Sequence, residues 1–270
     1  TAAVQKTSSS LLSLRSDLLI TGESNTYSWS HGNHTTSIRI SETAPGTADR
    51  TITLEKRMIA SSGGFQWVDN VNSTGKLILD LKYSGGITQG GVLATNESAI
   101  VRFSQTGDTT FSGSISGEGE VQKTTGTGTT IFTGIHTYTG DTVVETGTLR
   151  LTDTGSLHFV LGESGVNNRI TGTAGGNVTL EGTFTFDLSA AGTEYGDVWT
   201  IVDLTSLGTV TFGETFSVDG FVLNDHLWTS GIYQFDISSG QMSVVPEPAS
   251  LFLLSAGGVV TLLLKRRRSC

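Results

Sequence analysis

The sequence has almost no cysteine and almost no proline. Among its 270 residues there are one cysteine, Cys270, and three prolines. A single cysteine excludes an intramolecular disulfide, so packing and hydrogen bonds alone must hold the folded part together. Two of the prolines, Pro246 and Pro248, stand close together near the C-terminus. They mark one special segment there, because proline fixes its own φ and favours an extended conformation in the residue before it.

Charged residues are also scarce, at 15% of the chain. Of the 16 bases and 25 acids, four bases and one acid lie in residues 246–270, which leaves 12 bases, 24 acids and a net charge of −12 in residues 1–245. No Lys or Arg occurs between Ile170 and Val245. Because nucleic-acid binding needs a basic surface, no nucleic acid is expected among the partners.

An apolar signal segment is missing from the beginning of the sequence. The most apolar early stretch, Leu11 to Ile20, is interrupted by Arg15 and Asp17, which the apolar region of a secretory signal does not tolerate. This stretch is better interpreted as one or two strands. We expect that the export signal of the protein lies outside the sequence given, which begins with Thr1.

Glycine, by contrast, is abundant, with 35 residues, and Ser and Thr recur throughout. In the centre of the chain the glycines are spaced by six to eight residues, at positions 128, 134, 140, 147, 155 and 162. Such intervals hold short strands but no helix of useful length. This regularity predicts an all-β protein, a β-solenoid in which Leu149 and Leu151 point inward and Arg150 outward. A β-sandwich with strands of similar length remains an alternative.

Residues 113–151 resemble the autotransporter-associated β-strand repeat, also called the passenger-associated transport repeat. The pieces that carry the resemblance are Gly117-Glu118-Gly119, Lys123, Gly126-Thr127-Gly128-Thr129, Gly134, Thr137-Tyr138-Thr139-Gly140, Thr142 and Gly147-Thr148-Leu149-Arg150-Leu151. The family pattern expects Leu or another large aliphatic residue before the Lys, and here Val121 serves. The chain departs from the pattern at His136, where Asn is usual. The resemblance implies a right-handed parallel β-helix. No membrane β-barrel pattern follows it, so the chain is not expected to be an autotransporter.

The C-terminal segment begins with Pro246-Glu247-Pro248, continues as an apolar run from Ala249 to Leu264, and ends in the cations Lys265, Arg266, Arg267 and Arg268. The run predicts one short transmembrane helix, with the cations in the cytoplasm and residues 1–245 outside. A buried core helix is the alternative, but the few polar residues of the run form no stripe.

These three parts, in this order, resemble the PEP-CTERM sorting signal of Gram-negative bacteria that make extracellular polysaccharide. The resemblance implies that exosortase, a membrane-embedded cysteine protease, recognises and removes the tail. The chain is thus divided into four parts. They are an N-terminal β-rich part of the solenoid at 1–112, the repeat region at 113–177, a β-rich cap at 178–243 and the sorting signal at 244–270.

Catalytic and metal-binding motifs are weak. His31 and His34 stand three residues apart, but their Ser, Gly and Asn neighbours favour an exposed loop over a metal site. Glu118 and Glu120, if placed on one strand, would point the same way, and we interpret them as an exposed, solvated pair rather than a glycosidase pair. Asp187, Asp203 and Asp236 flank strands and are interpreted as turn residues that accept hydrogen bonds from backbone amides. No catalytic residue, metal or cofactor is predicted.

The preferred hypothesis is a non-enzymatic structural or adhesion protein of the cell surface or extracellular matrix. Its precursor would be anchored in the membrane through residues 249–264, with exosortase and extracellular polysaccharide as partners. The alternative is a secreted β-helix protein that degrades or binds polysaccharide. A simple tail-anchored receptor is a third possibility, in which the mature protein would keep its Arg cluster.

Overall fold

The computed structural model describes residues 49–55, 75–82, 92–94 and 97–246, together with the backbone of six short strands between residues 12 and 68. All regular structure in these residues is β-strand, and no helix is present among them. None of the described residues therefore provides a helix that is long and apolar enough to cross a membrane. The apolar run from Ala249 to Leu264, predicted as a transmembrane helix, lies outside the described residues.

Most of the strands that the structure describes lie in three parallel sheets, which we call faces 1, 2 and 3. Strands are numbered in chain order, and within each face neighbouring strands in the sequence of labels below are hydrogen-bonded to each other. Face 1 contains β1 (Leu12–Leu14), β4 (Thr36–Ile40), β7 (Phe65–Val68), β9 (Val92–Ala94), β12 (Ile115–Gly117), β15 (Ile135–Tyr138), β18 (Ser156–Val160), β21 (Thr183–Asp187) and β24 (Ser217–Val218). Face 2 contains β2 (Leu18–Ile20), β5 (Arg50–Leu54), β8 (Leu77–Leu81), β10 (Ala99–Phe103), β13 (Glu120–Lys123), β16 (Thr142–Val144) and β19 (Ile170–Gly172). Face 3 contains β11 (Thr109–Phe111), β14 (Thr129–Phe132), β17 (Gly147–Leu151), β20 (Gly176–Leu180) and β23 (Val210–Phe212). A separate parallel pair is formed by β3 (Thr26–Trp29) and β6 (Arg57–Ala60).

From β10 to β21 the chain visits faces 2, 3 and 1 in turn, and each of these strands except β19 pairs with the strand three further on. The register on face 2 places Val101 beside Val121, and Val121 beside Thr142. This arrangement is consistent with the predicted β-solenoid. It differs from the β-sandwich alternative, whose sheets are antiparallel. The right-handed sense of the helix stays a prediction.

The core lies between the three faces, because inward and outward residues alternate along many of the strands whose side chains the structure describes. On β17 Leu149 and Leu151 are buried while Arg150 points outward, as the alternation predicted. Matching inward positions of successive coils form ladders, such as Phe111, Phe132, Leu151 and Leu180 on face 3. Each coil thus buries its apolar edge on the next.

A five-stranded antiparallel sheet, here called the cap sheet, follows the solenoid. Its strands, in order across the sheet, are β22 (Val198–Thr200), β28 (Gln241–Val244), β27 (Tyr233–Asp236), β26 (Leu227–Ser230) and β25 (Val222–Asn224). Phe235 of the cap sheet packs against Phe184, Phe212 and Phe216 of the last coils, with ring centroids 6.0–6.3 Å apart. Residues 178–243 therefore contain both parallel strands and the cap sheet, and the division of the chain at residue 178 stays a prediction.

Several central glycines lie where coils touch. A Cβ added to Gly128 would collide with the backbone of Gly107 in the preceding coil. Gly126 adopts a φ of 78°, in the left-handed region that glycine tolerates best. The regular glycine spacing in the sequence thus reflects close approach between stacked turns.

Candidate functional site

The beginning of the predicted sorting signal is part of the folded body. Pro246 is exposed and comes two residues after the end of β28, the strand that lies between β22 and β27 in the cap sheet. The other predicted sorting residues lie outside the described residues; they are Glu247, Pro248, Lys265, Arg266, Arg267 and Arg268.

Backbone hydrogen bonds hold the chain firmly up to the residue before Pro246. The Val244 amide donates to the Asp197 carbonyl at 3.0 Å, and the Val245 amide donates to the Ile232 carbonyl at 2.8 Å. Val244 is buried, with 4% of its surface exposed. The tail therefore leaves the body at a fixed point, without a flexible linker before Pro246.

Several of the residues in 113–151 on which the predicted resemblance rests have clear structural roles. Tyr138 points inward from β15, and its hydroxyl hydrogen-bonds the Thr142 hydroxyl across the turn to the next strand, at 2.5 Å. Burial raises the pKa of Tyr138, so the phenol stays neutral. The hydrogen bond between Tyr138 and Thr142 thus stabilises the turn between β15 and β16.

Lys123 is buried in the core, with 2% of its surface exposed. Its ammonium donates to the carbonyls of Thr125 at 3.0 Å and Gly126 at 2.8 Å, in the turn between β13 and β14. Burial lowers the pKa of Lys123, since desolvation disfavours the charged form. Lys123 therefore stabilises the turn between β13 and β14 through hydrogen bonds from its buried ammonium group. Sequence reasoning missed this role, although Val121 and Lys123 share one side of an alternating strand.

His136 occupies another core position and is fully buried. Its Nδ1 accepts a hydrogen bond from the Ile115 amide at 3.2 Å, and its ring lies 4.4 Å from the ring of Phe132. Nδ1 is therefore the acceptor, and the proton of the neutral ring is on Nε2, which has no hydrogen-bond partner. Burial lowers the pKa of His136 to about 4. The residue is a neutral core histidine rather than an exposed acid–base group.

A groove of about 600 Å³ runs along the corner between faces 1 and 2. Three successive coils contribute carboxylates to it from the turns between these faces: Glu97, Glu118, Glu120 and Asp141. The next coil contributes a longer loop, residues 161–168, which is closed by an antiparallel bridge between Leu161 and Asn167. The groove combines negative charge with apolar surface at Val166, which is 61% exposed.

Glu118 and Glu120 do not share a strand. Glu118 is exposed in the turn after β12, whereas Glu120 begins β13 and accepts a hydrogen bond from the side-chain amide Nε2 of Gln122 at 2.6 Å. The premise of two like-oriented carboxylates on one strand was therefore wrong, because Gly117 and Gly119 place a turn between the faces. Asp141 in the same groove accepts a hydrogen bond from the Arg169 amide at 2.9 Å.

The three aspartates interpreted as turn residues have that role. Asp187 accepts a hydrogen bond from the Ser189 amide at 2.9 Å, Asp203 from the Thr205 amide at 3.1 Å, and Asp236 from the Ser238 amide at 2.8 Å. The hydrogen bonds from Thr205 and Ser206 lower the pKa of Asp203. These bonds use the carboxylates to fix local turns.

No cluster of His, Cys, Asp and Glu among the described residues can hold a metal ion. His158 Nδ1 lies 3.0 Å from the Thr185 hydroxyl, and His226 Nδ1 lies 2.8 Å from the Asp225 carboxylate. His31 and His34 lie outside the described residues.

Comparison with known proteins identifies the end of the chain. No curated protein and no solved structure matches the chain. Residues 244–268 match the family model of the PEP-CTERM protein-sorting motif. The match begins at Val244, the last residue of β28, so the motif starts inside the cap sheet. The motif implies an exported protein, made as a membrane-anchored precursor and processed by the membrane protein exosortase.

Proposed function

We propose that the protein is a non-enzymatic structural or adhesion protein of the cell surface or extracellular matrix of a Gram-negative bacterium. The observation that carries this proposal is the sorting motif at residues 244–268, joined without a linker to an all-β body of parallel sheets. The folded body would be the exported part of the protein, and the tail would be the sorting signal that exosortase recognises.

The resemblance of residues 113–151 to the autotransporter-associated repeat supports this proposal, because passengers of that kind are exported. The outer surfaces of the faces support it as well. On face 1, Ser156, Thr183 and Ser217 stand side by side on neighbouring strands, and the last two hydroxyls lie 3.0 Å apart. Such rows of hydroxyls suit contacts with extracellular polysaccharide or with neighbouring copies.

Deletion of Pro246 to Cys270 tests the proposal in a host that carries exosortase. We expect the truncated protein to lose processing and to leave the cell-surface fraction, as measured by fractionation and mass spectrometry of the mature C-terminus. Ser250→Ala, inside the tail but outside its Pro-Glu-Pro and Arg parts, is the matched control and should be processed normally. Unchanged localisation of the truncated protein would contradict the proposal.

The groove favours a second candidate function, the degradation or binding of polysaccharide. Its length along several coils and its four carboxylates suit a glycan chain with hydroxyl or amine groups. Incubation of the protein with neutral and uronic-acid glycans distinguishes the candidates. Release of oligosaccharides would establish an enzyme, whereas retention without cleavage would support adhesion through the groove.

A further inference from the structure

The cap sheet has two different ends, and the tail leaves from one of them. The register places Val222, Thr229, Gln234, Ser243 and Val198 in one row across all five strands. Val244 lies one residue beyond this row, beside Tyr233. We call this the exit end. The opposite far end carries the turns at residues 225–226 and 237–240.

Exposed apolar side chains lie at the exit end. Val222, on the edge strand β25, is 72% exposed, and Tyr195 is 78% exposed. Tyr195 precedes Gly196 and Asp197, whose backbones hydrogen-bond to Val244. The far end carries charged and hydroxyl groups, including Asp225, Asp236 and Ser239. The apolar residues thus flank the point where the tail departs.

The tail holds this end close to the membrane. Pro246 precedes Ala249, where the apolar run begins, by three residues. Three extended residues span at most about 10 Å, and the two prolines stiffen this segment. While the precursor is anchored, the exit end is therefore held within roughly that distance of the lipid head groups.

We propose that the exit end of the cap sheet rests on the lipid surface in the precursor, with Tyr195 and Val222 in contact with the interfacial region. Tyrosine suits this position, because its ring is apolar and its hydroxyl remains hydrated. Glu194 and Asp197 also lie at this end, and no Lys or Arg occurs between Ile170 and Val245. The contact should therefore be stronger on a neutral lipid surface than on an anionic one.

The test uses the full chain in phosphatidylcholine vesicles, in a Cys270→Ser background. Tyr195→Cys and Val222→Cys report on the exit end, and Ser239→Cys at the far end is the matched control; each carries a fluorophore. We expect nitroxide-labelled lipid to quench positions 195 and 222 several-fold more strongly than position 239. Added anionic lipid should reduce this difference.

Equal quenching at all three positions, or stronger quenching at 239, would overturn the inference. Fluorophore self-quenching at 195 and 222 that depends on protein density rather than labelled lipid would assign the surface to a second copy of the chain. The inference rests on the anchored precursor, so flotation of the same vesicles is measured in parallel. A chain that floats without lipid quenching at 195 refutes this contact alone, whereas a chain that does not float refutes the anchor as well.

Discussion

Lys123 and His136 are polar residues at core positions of the solenoid. The register places Lys123 beside Val144 on face 2, and His136 beside Leu157 on face 1. The alternation of Glu120-Val121-Gln122-Lys123 predicts an inward Lys123, but a lysine is almost always solvated, so composition favours the opposite interpretation. The sequence could not reveal that carbonyls of the adjacent turn would receive its ammonium. Polar core residues are therefore the hardest to predict.

Replacement of Lys123 by Met tests its role. Loss of the ammonium removes its hydrogen bonds to the carbonyl of Thr125, an exposed residue, and to the carbonyl of Gly126, which keeps a hydrogen bond from the Thr146 hydroxyl at 3.2 Å. Hydrogen bonds to charged groups contribute about 1.5–3 kcal/mol, so we expect the free energy of unfolding, measured by chemical denaturation, to fall by about 1.5–3 kcal/mol. Lys82→Met is the control, because Lys82 forms an exposed ion pair with Glu55 at 3.1 Å. Its loss should cost about 1 kcal/mol or less. Equal losses would contradict the role assigned to Lys123.

His136 should make stability depend on pH. Its pKa is about 4 in the folded protein and about 6.5 in the unfolded chain. The unfolded chain therefore binds the proton first as pH falls. The contribution to stability is complete above pH 6.5 and is lost between about pH 6.5 and 4, with a total on the order of 3 kcal/mol. Chemical denaturation at a series of pH values measures this slope.

The His136→Asn variant should show a shallower slope over the same pH range, because it removes the titrating ring and keeps a hydrogen-bond acceptor. The control is His226→Asn at an exposed position of the cap sheet, which should retain the slope. A wild-type slope in His136→Asn would show that other groups cause the pH dependence.

At the scale of strands and turns, alternation predicted individual strands. The stretch Leu11 to Ile20, interpreted as one or two strands, contains β1 and β2, and Leu149 and Leu151 point inward from β17 as predicted. The groove was not predicted, because it depends on the loop at 161–168, and no pattern in that loop shows which earlier turns it will face. The pairing of β22 with β28 could not be predicted from the sequence either, because forty residues, 201–240, separate the two strands and short strands carry no information about their partners.

The contact between Gly107 and Gly128 yields a matched pair of variants. Gly128→Ala places a methyl group against the Gly107 backbone, while a Cβ at Gly107 meets nothing within 4 Å. We expect Gly128→Ala to lower the free energy of unfolding by about 1–3 kcal/mol, because the coils must separate to relieve the overlap. Gly107→Ala should stay within about 0.5 kcal/mol of the wild type. Thermal denaturation of both variants checks the prediction, and an unaffected Gly128→Ala would refute close packing at this turn.

For the whole molecule, the spacing of glycines indicated stacked short strands, and parallel sheets are observed. The same spacing left the β-sandwich open, because strand length alone does not determine which strands pair. The tail was predictable from its three parts in order, and residues 244–268 match the PEP-CTERM motif. The predicted division of the chain at residue 178 stays a prediction.

Processing should change the charge of the whole protein. The full chain carries a formal net charge of −9, and removal of residues 246–270 takes away four cations and one acid, which leaves −12. We expect the processed form to elute later than the precursor from an anion-exchange column at pH 7. The control is the same comparison at high salt, where screening should remove the difference. Identical retention at low salt would indicate that the Arg cluster remains on the mature protein.

The position of β28 also has a mechanical consequence. β28 is hydrogen-bonded on both sides, to β22 and to β27, and the tail continues from its end. A pull on the tail along the strand axis loads both rows of hydrogen bonds in shear, so they resist together instead of opening one after another. A tail attached to an edge strand could be peeled away bond by bond. The anchored precursor can therefore bear tension through its tail without unravelling the cap, until proteolysis removes the attachment itself.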